Sequence, residues 1–75
     1  MSLPVVSGRD AVKAFRRDGW GQVRRHRGSH IILTKRGMPH PLSVPDHKEL
    51  DRRTLRGLIG DAELTVPRFL ELLDQ

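Results

Sequence analysis

The chain has 75 residues, a net charge of +5 and no cysteine. That length leaves room for one core only, so a single domain over residues 1–75 is expected, with residues 1–6 a flexible N-terminal segment. The missing cysteines exclude a disulfide framework and any thiolate metal site, and the apolar runs are too short to span a bilayer. No signal-peptide pattern opens the chain, so a soluble, cytoplasmic protein is expected. The charge is uneven: nine Lys/Arg and two Asp fall in residues 1–37, against five Lys/Arg and seven Asp/Glu in the remainder. A concentrated field of this kind favours a polyanion partner over a merely solvated surface.

In chain order, Ser7 and Asp10 form a weak capping-box signal. Ala11, Val12 and Phe15 then recur at helical spacing, which predicts a helix from about Gly8 to Asp18 closed by Gly19 as a left-handed cap. Trp20 follows, where an apolar side chain commonly folds back onto the last turn; core packing is favoured there over base stacking. Gly21–Arg27, His30–Lys35 and His40–Val44 read as three short strands of a meander, with turns at Gly28-Ser29 and at Arg36 to Pro39. Pro41 demands that the third strand lie at an edge or begin late. Asp51 caps a second helix with Leu55, Leu58, Ile59 and Ala62 on its buried stripe. Thr65 caps a short final helix with Pro67 in its first turn and Phe69, Leu70 and Leu73 as anchors. The expected class is α+β, with the helices on one sheet face.

The densest chemistry lies in Arg24-Arg25-His26-Arg27-Gly28-Ser29-His30. Guanidinium groups neutralise phosphates, and an imidazole passes protons near neutral pH. Together they are the minimum needed to hold a nucleic-acid backbone and act on it, by stabilising charge on the phosphorus oxygens and moving a proton. His30, at a strand mouth, is the candidate catalytic residue, although by spacing alone a structural histidine fits that position equally well. Arg24, Arg25, Arg27, Ser29 and Lys35 are the candidate phosphate contacts. His26 reads as a solvated strand residue, His40 as peripheral, and His47 as loop hydrogen bonding or substrate contact with equal weight. The spacings of the four histidines match no metal-ligand pattern, so no metal or other cofactor is expected.

Three segments together resemble the HicA-type (YcfA-like) toxins, small mRNA interferases of type II toxin–antitoxin systems. These are Asp18-Gly19-Trp20, Arg27-Gly28-Ser29-His30, and Val44-Pro45-Asp46-His47 through Glu49-Leu50 to Thr54-Leu55-Arg56. The resemblance runs from about Ser7 to Leu73. It implies a double-stranded-RNA-binding-domain-like fold: helix, three-stranded antiparallel sheet, helix and a short C-terminal helix. It also implies a metal-independent endoribonuclease with His30 as catalytic residue, RNA (mRNA) as substrate, and a HicB-like antitoxin protein as partner. DNA would be met only indirectly, through the antitoxin complex. The chain departs from the family pattern at Ile31, Arg53 and the Ala62-Glu63 helix end. Three other readings compete: a non-catalytic RNA-binding module of the same fold, a small DNA-binding protein using the two C-terminal helices, and a pure protein–protein adaptor. The DNA-binding reading suffers because the second of those helices carries Arg68 as its sole cation.

Overall fold

The structure, a computed structural model, describes residues 2–23 and 28–75. Its elements are α1 (Gly8–Arg17), β1 (Gly21–Gln22), β2 (His30–Thr34), β3 (Leu42–Pro45), α2 (Arg52–Asp61) and α3 (Val66–Leu73). The three strands form one antiparallel sheet in the order β1-β2-β3. The fold is therefore α+β, in the element order the sequence predicts.

Each helix starts where its cap residue stands. Ser7 Oγ accepts from the Asp10 amide at 3.0 Å, Asp51 Oδ2 from the Thr54 amide at 3.3 Å, and Thr65 Oγ1 from the Arg68 amide at 3.2 Å. α1 ends as the sequence requires: Gly19 takes φ +100°, and the Gly19 and Trp20 amides donate to the Arg16 and Phe15 carbonyls. This paired closure folds Trp20 back over the helix end, where it is 2% exposed. Trp20 is a core residue and no base-stacking surface; among the described residues its indole N–H has no acceptor, so apolar packing alone fixes it.

β2 alternates strictly. Ile31 and Leu33 are buried, facing Val44 and Leu42 of β3 in register, whereas His30, Ile32 and Thr34 point to the other sheet face. That second face, with Ser43 opposite Ile32, carries no helix among the described residues. Gly37, at φ +85°, and the Met38 amide donating to the Lys35 carbonyl close the β2–β3 turn. β3 begins only at Leu42, after Pro41, and continues one residue beyond expectation to Pro45. For β1, Gly21 and Gln22 pair with Thr34 and Leu33, and the Val23 amide donates to Ile32. The rest of the first predicted strand, residues 24–27, lies outside the described residues.

Two expectations differ from what is found. Residues 1–6, expected to be a flexible segment, contribute Leu3 (2% exposed) and Val6 (3%) to the core. The Leu50 amide donates to Val6 and Arg52 Nε to Leu3, so backbone bonds as well as apolar contact hold this stretch along α2. In α3 the buried pair is Phe69 and Leu72; Leu70 and Leu73 flank it, half-buried. The seam follows the three-residue step that faces α1, where the Phe15 and Phe69 rings lie 5.3 Å apart at 48°. Arg17 Nη1 locks this packing by donating to the Leu72 carbonyl at 2.6 Å.

Candidate active site

His30 is the first residue of β2, half-buried on the helix-free face and directly opposite Pro45. Gly28 makes the preceding turn possible: it takes φ +57°, a conformation that side-chain-bearing residues rarely adopt. Ser29 is exposed, and its carbonyl accepts from the Asp46 amide at 2.7 Å. The backbone before the imidazole is thus pinned to the segment that follows β3, and the backbone after it pairs with β3 itself.

That segment is pinned in turn to α1. The Gly8 amide donates to the His47 carbonyl at 2.9 Å, and the two backbones approach so closely that a methyl group on Gly8 would collide with the Pro45 carbonyl oxygen. Arg9 Nε pairs with Asp46 Oδ1 at 3.2 Å. The hydrogen bond to Asp46, with its charge attraction, raises the guanidinium pKa above its ordinary value. His47, exposed, shares a shallow pocket with Ser7, Arg9, Asp46 and Lys48. The β1–β2 turn, residues 45–47 and the start of α1, distant in sequence, are therefore joined in a chain of contacts that begins next to His30.

The other sequence-predicted residues divide. Ser29 adjoins His30. Lys35 does not: it lies five residues along β2, about 16 Å away at strand rise, and its Nζ pairs with Asp18 Oδ2 at 3.1 Å beside the end of α1. Arg24, Arg25, Arg27 and His26 lie outside the described residues. His40 is exposed at the far side of the β2–β3 connection. Among the described residues no three of His, Asp and Glu converge as metal ligands would. Sequence reading missed Gly8 and Asp46 as the groups that position the turn; their bonds run through backbone atoms, which leave no side-chain signature.

Fold and site together define a compact helix–sheet–helix domain with a histidine held on the open face of its sheet. A chain of the toxin–antitoxin complex from Streptococcus pneumoniae is 34% identical to this one and superposes with a TM-score of 0.71, covering 79% of this chain and 98% of that one. The family model described as HicA toxin of bacterial toxin-antitoxin matches residues 8–64, and the chain belongs to that family. Its role is that of the toxin of such a module. A comparison with curated proteins gave no match.

Proposed function

We propose that this toxin is a metal-independent endoribonuclease, an mRNA interferase, with His30 as its catalytic residue. The observation that carries the reading is the fixed position of the imidazole: half-buried, on a helix-free sheet face, with the turn before it bonded to the loop after β3. His30 accepts the ribose 2′-OH proton; the 2′ oxygen bonds to phosphorus as the bond from phosphorus to the 5′ oxygen breaks. The leaving oxygen takes a proton from solvent water as the protonated His30 returns its own proton to solvent, giving a 2′,3′-cyclic phosphate and a 5′-hydroxyl. Arg24, Arg25, Arg27 and Ser29 hold the phosphate and offset the charge that develops on it. With Trp20 committed to the core, the grip falls on phosphates, and cleavage is only loosely sequence-specific.

The partner is a HicB-like antitoxin that covers His30 with an acidic surface. A marginal domain of this size gains stability from such a partner as well as control. DNA is met only through that complex, and the substrate places the protein in the cytoplasm.

Replacing His30 with Ala tests the assignment. Cleavage of a single-stranded RNA should fall about 10²- to 10⁴-fold, the range for loss of a positioned acid or base, with the fold unchanged by circular dichroism. Wild-type cleavage should persist in EDTA. A variant that cleaves at the wild-type rate removes His30 from the chemistry; a wild-type protein that binds RNA without cutting it is a binding module instead.

A further inference from the structure

The structure sorts the cations of the basic half. Arg17 bonds to the α3 carbonyls of Leu72 and Leu73, Lys35 pairs with Asp18, and Arg9 pairs with Asp46. Of the described cations in that half, Lys13, Arg16 and Arg36 have no carboxylate partner among the described residues; Lys13 and Arg16 are both exposed on α1, and Arg36 lies apart in the β2–β3 turn. The first two border a groove of about 310 Å³ between α1 and the sheet, lined also by Arg9, Val12, Gln22, Ile31 and Asp46. Asp46 neutralises the Arg9 end, so the positive field is concentrated toward Arg16 and Gln22.

We infer that this groove is a second phosphate track, which holds the RNA strand on the side of the sheet opposite His30. The inference rests on the RNA-cleaving role proposed above and extends it to a substrate several nucleotides long. Lys13 and Arg16 are three residues apart on one helix face, so their heads line a single wall. Gln22 belongs to β1, the strand that leads in sequence into Arg24, Arg25 and Arg27. An acidic protein surface would also answer to bare charge. Two exposed cations one helical turn apart, neither with a carboxylate partner among the described residues, suit a strand whose charges repeat along its length better.

The test uses the full-length protein and a single-stranded 2′-O-methyl RNA of about 12 nucleotides, which has no free 2′-OH and stays intact whichever residue is catalytic. Affinity is measured against salt for wild type and for Lys13→Gln/Arg16→Gln, with thermal melting as the fold check. Loss of two phosphate contacts should lower the slope of log affinity against log salt by about 1.4 and the affinity at 0.1 M salt by about 25-fold. An unchanged slope overturns the track. So does unchanged RNA binding accompanied by lost binding of poly-glutamate, which would assign the groove to an acidic protein. Cleavage of unmodified RNA by wild type, run alongside, separates the failures. Cleavage with an unchanged slope removes the groove alone, and no cleavage removes the nuclease reading beneath it.

Discussion

The Asp46 amide donates to the Ser29 carbonyl at 2.7 Å, and this bond fastens the turn before His30 to the loop that docks on α1. The orientation of the imidazole therefore depends on a contact made by neither histidine nor arginine. The far side of the same loop rests on Gly8, where the helix and loop backbones nearly touch.

Gly8→Ala tests that docking. The added methyl meets a backbone carbonyl, which cannot swing aside as a side-chain tip could. The expected cost is about 1–3 kcal/mol, as for other over-packed sites, read as a lowered denaturation midpoint. Stability equal to wild type would mean that the loop shifts freely and does not hold the turn.

Glu63 sits where helix ends favour glycine. Its φ is 58°, and the Glu63 and Leu64 amides close α2 by donating to Gly60 and Ile59. A side chain costs energy in this left-handed conformation, partly offset by its smaller entropy loss on folding. Glu63→Gly should raise stability by about 0.5–1 kcal/mol, a gain of several degrees in Tm for so small a domain. A lowered Tm would show that the carboxylate has a role of its own.

Phe69 is fully buried against Phe15. Phe69→Ala should cost about 3–5 kcal/mol through lost burial and the cavity left behind. A chain this short has a total stability of the same order, so the variant should melt near or below 37 °C. A cooperative melt within a few degrees of wild type would contradict the packing of α3 on α1.

Asp18 and Lys35 offer a sharper question, since Lys35 reads from sequence as a phosphate ligand. Their side chains are only 17% and 31% exposed. A double-mutant cycle with Asp18→Asn and Lys35→Gln should give a coupling of about 0.2–1 kcal/mol that shrinks as salt is added. Zero coupling at low salt would return the lysine to the pool available for RNA.

Most of the architecture is legible in the residues. The caps Ser7, Asp51 and Thr65, the Gly19-Trp20 closure and the late start of β3 after Pro41 all act locally, so neighbouring residues announce them. The position of His30 at the mouth of β2 is legible for the same reason. What escapes is tertiary. Leu3 and Val6 look like a loose leader because too few residues precede the first helix to show a period, yet both are core. Lys35 reads as one more cation in a basic half, and only the return of Asp18 to the end of β2 gives it a partner.

The family match spans residues 8–64, but α3 lies beyond it, and so do the core side chains Leu3, Val6, Phe69 and Leu72. The segment that carries the sequence signature therefore leaves part of this chain's core outside it. On the ribosome the candidate catalytic histidine emerges long before Phe69, and until that last helix arrives Phe15 has no ring to meet. Synthesis itself thus delays the folded toxin: the nascent chain carries its chemistry early and its shape late.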